Sequence, residues 1–147
     1  MCIIQACSLV RFATCAGNVE KSVENYKHAI QLDPNFVDAH ANLGNVYKDS
    51  GQLAQAEATY TEALRLNPNQ AIVWGNLAAV YLEMGNIPKA LELFDKTLIM
   101  QPNFPDALSN QGNALKFAGR LEESIQSYRK ALELQPDHTD ALNNLVR

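Results

Sequence analysis

The sequence predicts an all-α fold, a solenoid of antiparallel helix pairs, and three observations carry the prediction. Pro34, Pro68, Pro102 and Pro136 stand 34 residues apart. Gly17, Gly51, Gly85 and Gly119 keep the same step, as do the aromatics Tyr26, Tyr60, Phe94 and Tyr128 and the aliphatics Ile30, Leu64, Leu98 and Leu132. On both sides of each glycine, apolar residues recur at spacings of three and four, the pattern of two amphipathic helices per period. A fixed period of this length marks a repeat architecture, in which each unit buries its apolar face against the next.

Ending each unit two residues past its proline divides the chain into 3–36, 37–70, 71–104 and 105–138, with 139–147 beginning a further unit. The first helix of a unit must stop at the glycine, which enters the left-handed conformation without a Cβ penalty and so suits a helix end followed by a tight turn. The second helix must stop at the proline, which lacks an N–H and disfavours a helical residue before it. Pro88 falls at the start of a second helix and Pro105 just before a first helix, both places that tolerate proline. Small residues line up in two further columns, Ala29, Ala63, Thr97 and Ala131 in one and Ser22, Ala56, Ala90 and Ser124 in the other, where neighbouring helices approach closely. Leu43, Tyr47, Leu77, Tyr81 and Leu115 are expected to fill the space between them. The unit 3–36 departs from the pattern, with Val10 in the place of Gly44 or Gly112 and Ala13 in the place of Tyr47. Residues 1–18 therefore stay open between a first helix, an N-terminal cap and a cleaved segment.

Composition narrows the function classes. With 147 residues and 47% hydrophobic content the chain supports a sizeable core, and one domain is the starting assumption, its core spread along the repeats. A net charge of -4 and a pI near 5.3 speak against nucleic acid, which demands clustered Lys and Arg; the longest basic run is Arg129 and Lys130. Cys2, Cys7 and Cys15 are odd in number and lack metal-ligand pairing, so they read as reduced, apolar thiols, consistent with a cytoplasmic or nuclear address. The apolar N-terminus lacks the positive n-region of a secretory signal, and Arg11 interrupts it. No run of eighteen apolar residues is present to span a membrane.

Stacked helix pairs with a consistent twist place their first helices on the concave side, so the informative residues lie on the uncommitted stripe of those helices. The second, sixth, ninth and thirteenth places of successive units read Asp38, Asn42, Asn45 and Asp49; Ile72, Asn76, Ala79 and Glu83; Asp106, Asn110, Asn113 and Phe117; then Asp140 and Asn144. The sixth place is asparagine each time. A primary amide offers a donor and an acceptor, so Asn42, Asn76, Asn110 and Asn144 suit the N–H and C=O groups of an extended backbone whatever its side chains. Adjacent first helices packed about 10 Å apart match three residues of extended chain, which span roughly 10 Å. The same asparagines are open to a second reading, bonds to neighbouring helices or to their own backbone. Asp38, Asp106 and Asp140 are open likewise, between capping a helix start and complementing its dipole, and selecting basic or hydroxyl-bearing side chains.

The columns Leu43, Gly44, Tyr47, Ala56, Tyr60, Ala63 and Pro68 resemble the tetratricopeptide repeat signature, with Trp74 where that family often carries its tryptophan. The resemblance covers nearly the whole chain and implies a right-handed superhelix that binds other proteins or extended peptides. The phrases LDPNFVDAHANLGNVYK, LNPNQAIVWGNLAAVYLEMG and LQPDHTDALNNL are similar to the repeat arm of the protein O-linked N-acetylglucosamine transferases. That resemblance implies that Asn42, Asn76, Asn110 and Asn144 hold substrate polypeptide and that Asp38, Asp106 and Asp140 influence its choice, with Ile72 breaking the aspartate series. Another branch of the wider family clamps a chaperone's C-terminal carboxylate with cations. Ala41, Gly75 and Ser109, or Asp38, Ile72 and Asp106, stand in the corresponding places here, so that chemistry is not expected.

No catalytic constellation is expected in the chain itself, and no cofactor or metal: His28, His40 and His138 fall in different columns of different units, and His40 reads as a packing or surface residue. The sequence stops at Arg147 inside a first helix, leaving Leu142, Leu145 and Val146 without a cap. This predicts a fragment of a longer protein, with self-association or fraying at that end. Two functional classes stay open, a substrate-recognition segment of a larger glycosyltransferase and a free-standing adaptor.

Overall fold

The structure is a computed structural model and describes residues 16–146. The expectations placed on Cys2, Cys7, Cys15, Val10, Ala13 and Arg147 lie outside the described residues. Contacts divide the chain into two compact units, one to Pro68 and one from Asn69.

In the unit ending at Pro68, helix α1 (Ala16–Leu32) packs on α2 (Val37–Asp49), and α2 packs on α3 (Leu53–Leu66). Tyr26, Leu43, Tyr47, Tyr60 and Leu64 are among its large buried side chains, with Ser22, Ala39, Ala56 and Ala63 between them. The unit beginning at Asn69 holds α4 (Ala71–Glu83), α5 (Ile87–Met100), α6 (Pro105–Phe117), α7 (Leu121–Leu134) and α8 (Thr139–Val146). Each of these packs on the next, and the first helices also touch one another, α4 against α6 and α6 against α8. The described residues are helical and contain no strand.

Local chemistry explains where the helices stop. Gly51, Gly85 and Gly119 have φ of 79°, 81° and 77°, and each closes a paired turn. At the first, Gly51 N–H donates to the Lys48 carbonyl at 3.1 Å and Gln52 N–H to the Tyr47 carbonyl at 2.8 Å, which satisfies two carbonyls that α2 would otherwise leave open. The same two bonds recur after α4 and α6. At the other helix ends Asn67, Gln101 and Gln135 turn extended, with φ near -140° (-143°, -139° and -140°), as the residue before a proline must. Pro105 is the first residue of α6 itself, where a missing N–H costs nothing.

Close approach explains the glycines inside helices. A Cβ on Gly112 would stand 2.6 Å from the Tyr128 ring, and one on Gly44 would stand 2.6 Å from the Tyr60 ring. These helix pairs are packed too tightly for any side chain there. The α4–α5 pair has Ala78 in that place and Phe94 opposite, both fully buried.

Candidate functional site

The stripe residues share one exposure profile. Asp38 and Asp49 on α2, Ile72 and Glu83 on α4, Asp106 and Phe117 on α6, and Asp140 on α8 are exposed. The sixth and ninth places between them, Asn42, Asn45, Asn76, Ala79, Asn110, Asn113 and Asn144, are half-buried. In the unit from Asn69, contacts between α4 and α6 and between α6 and α8 bring the helices carrying Asn76, Asn110 and Asn144 side by side. Asn42 lies on α2 of the other unit.

The individual amides differ in what holds them. Among the described residues the carboxamides of Asn42 and Asn110 meet no hydrogen-bond partner. Asn144 Nδ2–H donates to the Asp140 carbonyl of its own helix at 2.8 Å. The ninth-place asparagines are engaged on their oxygen: Tyr60 Oη–H donates to Asn45 Oδ1 at 2.5 Å, and Tyr128 Oη–H donates to Asn113 Oδ1 at 2.6 Å. Burial raises the Tyr128 phenol above its ordinary range, so the hydroxyl stays a donor at neutral pH. In the α4–α5 pair Phe94 has no hydroxyl, and Ala79 stands where the amide would be. In units 37–70 and 105–138 Gly, Tyr and Asn occur together, and in unit 71–104 Ala, Phe and Ala stand in their places, whereas the sequence of unit 3–36 combines Tyr26 with Val10 and Arg11.

The aspartates do not cap their helices. Phe36 and Phe104 occupy the N-cap positions of α2 and α6 and make no side-chain cap bond, while Asp38 and Asp106 lie one residue inside the first turn. Their negative charge still complements the helix N-terminus. Asp106 has a partner that the sequence reading missed. His138 precedes α8, its ring largely buried; its Nδ1 accepts the Ala141 N–H at 3.2 Å and its Nε2–H donates to Asp106 Oδ1 at 2.8 Å. Both ring nitrogens are thus committed. The pair links the starts of α6 and α8 and leaves no lone pair to activate a nucleophile. The signal available in sequence was the column of residues preceding a first helix, Phe36, Gln70, Phe104 and His138, in which one member is polar and ionisable. His40 is buried, and its Nε2–H donates to the Pro34 carbonyl at 3.0 Å, a packing role.

A second missed link centres on Gln111, in a column otherwise held by Leu43, Leu77 and Leu145. Gln111 Nε2–H donates to Asp95 Oδ1 at 2.7 Å and its Oε1 accepts from Ser127 Oγ at 3.0 Å, tying α5, α6 and α7 together. At the far end Leu142 and Val146 are exposed, whereas Leu145 packs on the cluster of Leu108, Tyr128, Ala131 and Ala141. Among the described residues no His, Cys, Asp or Glu group is disposed to hold a metal, and no helix is long and apolar enough to cross a membrane.

Comparison with known proteins agrees with this geometry. Family models described as TPR repeat and tetratricopeptide repeat match residues 16–51, 48–111 and 105–138. No curated protein sequence matches the chain. Among solved structures, the crystal structure of MamA superposes with a TM-score of 0.80 at 20% identity, covering 88% of this chain and 75% of that one. The first TPR of Spaghetti (RPAP3), bound to the HSP90 peptide SRMEEVD, gives 0.72 at 24% identity, covering 75% of this chain and 87% of that one. The Arabidopsis OM64 TPR domain gives 0.71 at 27% identity, covering 73% and 88%. The 34-residue columns, the helix pairs closed by left-handed glycines and the three family models together make the chain a member of the tetratricopeptide repeat family.

Proposed function

We propose that the chain is a protein-binding module that holds an extended polypeptide by its backbone along the first-helix asparagines Asn42, Asn76, Asn110 and Asn144. The observation that carries this reading is the state of Asn110: a half-buried carboxamide on a central first helix, with its donor and acceptor both unengaged among the described residues. A half-buried amide that bonds no other part of the protein has both its donor and its acceptor available to a ligand backbone. The similar TPR that binds an HSP90 peptide supports the use of this fold for peptide capture, though its ligand is acidic and the stripe here is not suited to one. Asp38, Asp49, Glu83, Asp106 and Asp140 lie along the stripe, which carries no Lys or Arg. Of the places where a carboxylate clamp would stand, Gly75 and Ser109 are buried.

The resemblance of its repeat phrases to the repeat arm of the protein O-linked N-acetylglucosamine transferases carries the finer proposal, that the module is a substrate-recognition segment of such an enzyme, acting in the cytoplasm or nucleus. The second reading is a free-standing adaptor built on the same repeats that the three family models match. A glycosyltransferase domain encoded in the same reading frame decides for the first. The peptide-binding reading itself is tested by replacing Asn42, Asn76, Asn110 and Asn144 with alanine together. With roughly 1 kcal/mol per amide, about 4 kcal/mol for the four, binding of a fluorescein-labelled Ser/Thr/Val peptide should weaken by roughly a hundredfold to a thousandfold while helicity by circular dichroism holds. Binding equal to that of the parent protein rules the ladder out.

A further inference from the structure

We infer that Asn113 is an oriented hydrogen-bond donor of the α6 stripe, set in that role by Tyr128, and that it takes a main-chain carbonyl of the bound peptide. The inference rests on the peptide-binding reading above and gives the ninth place a task distinct from that of the sixth.

Tyr128 is 2% exposed, and its ring lies so close to α6 that position 112 admits no Cβ. The ring therefore has no room to move, and its hydroxyl must find its acceptor locally. The acceptor is Asn113 Oδ1 at 2.6 Å. An amide whose oxygen is taken presents only its NH2 end, so Asn113 Nδ2 and its two N–H donors face away from Tyr128, without a partner among the described residues. Asn110, three residues earlier on the same helix face, keeps both amide ends available. The stripe of α6 thus offers one two-sided amide and, a few ångströms on, one donor that cannot flip. An extended backbone alternates N–H and C=O, so a peptide seated on Asn110 meets that donor with a carbonyl. Tyr128 is a positioning residue; Asn113 makes the contact.

The same set in the other unit, Gly44, Tyr60 and Asn45, makes the same hydroxyl-to-amide bond, and the Ala78, Phe94 and Ala79 set lacks both partners. A purely structural tyrosine hydroxyl would need any acceptor. A side-chain amide on the exposed stripe adds the donor.

The test is a fluorescence titration of the whole chain with a labelled, uncharged Ser/Thr/Val peptide, run on three variants with circular dichroism and melting as controls. Asn113→Asp keeps an acceptor for Tyr128 and removes the NH2 donors; it should weaken binding by about fivefold with the melt nearly unchanged. Tyr128→Phe keeps the ring packing and lets the Asn113 amide rotate; it should weaken binding by a smaller factor, and its effect should vanish in an Asn113→Ala background. Asn110→Ala reports on the underlying reading. If Asn110→Ala weakens binding while Asn113→Asp and Tyr128→Phe bind as the parent does, Asn113 is only a support for Tyr128 and the inference is overturned. If Asn110→Ala also leaves binding unchanged, the peptide-binding reading fails first.

Discussion

The helix pairs α4–α5 and α6–α7 have the same length, turn and proline stop, yet they are held together by different chemistry. In α6–α7 the contact is glycine against tyrosine, with the phenol hydroxyl delivered to Asn113 and a second polar link through Gln111, Asp95 and Ser127. In α4–α5 alanine meets phenylalanine, the ninth place is Ala79, and Trp74 takes a cation over its ring, Lys96 Nζ at 3.6 Å from the centroid. At the places equivalent to Trp74 and Lys96, α6–α7 carries Leu108 and Lys130, which help to line a cleft of about 380 Å³. The period thus fixes backbone events and total volume. Polar contacts are exchanged in sets, because a buried hydroxyl without its acceptor is unfavourable.

The two helix pairs differ most at position 112. Gly112→Ala pushes a methyl into the Tyr128 ring and should destabilise the fold by about 1–3 kcal/mol in urea unfolding, whereas Ala78→Gly in the other pair should lose about 0.5–1 kcal/mol. A parent-like midpoint for Gly112→Ala would show that the ring can yield. Next in size, Phe94→Tyr adds a hydroxyl opposite Ala78 and Ala79 and should lose about 1–3 kcal/mol. Adding Ala78→Gly and Ala79→Asn to that variant should recover part of the loss, which transplants the set from one pair to the other. A triple variant no more stable than Phe94→Tyr would mean that the set does not act as a unit.

Smaller effects sharpen the same contrast. Lys96→Ala should lose about 0.5–1 kcal/mol and alter Trp74 fluorescence, while Lys130→Ala over Leu108 should stay within about 0.5 kcal/mol of the parent. The smallest difference lies in the exposed ion pairs at the starts of the second helices. Arg120 holds Glu123 through two bonds at 2.6 and 2.8 Å, and this hydrogen bonding keeps the Glu123 carboxyl below the usual glutamate range. A carboxyl lowered in the folded state contributes stability above the unfolded pKa, near 4.3, that is lost as pH falls through the folded value. Glu123→Gln should therefore flatten the acid limb of the stability profile slightly, most at low salt. An acid limb identical in parent and variant would show that the pair contributes nothing.

What could be read from the sequence follows from the same division. Helix ends depend on one residue at a time, so Gly51, Gly85 and Gly119 and the prolines announced them directly. The all-helical fold was legible for that reason. The tyrosine–asparagine pairs were visible as a constant offset, Tyr60 with Asn45 and Tyr128 with Asn113, but only distance reveals the bond. His138 with Asp106 was not legible, because a single departure from a periodic column has no second copy to mark it, and its partner lies 32 residues away. Of the roles left open for Asp38 and Asp106, capping is excluded by a local detail: the chain turns into α2 and α6 through the backbone of Phe36 and Phe104, two residues earlier than an aspartate cap requires.

The central claim is that the first-helix carboxamides receive the peptide. Side-chain amide signals in a nitrogen-edited NMR titration with the Ser/Thr/Val peptide test it directly, since each Asn and Gln NH2 group reports separately. The account predicts saturable shifts at Asn42, Asn76, Asn110 and Asn144, with the second-helix glutamines Gln55 and Gln126 unmoved. Shifts confined to those glutamines, or none at any asparagine at saturating peptide, would contradict it.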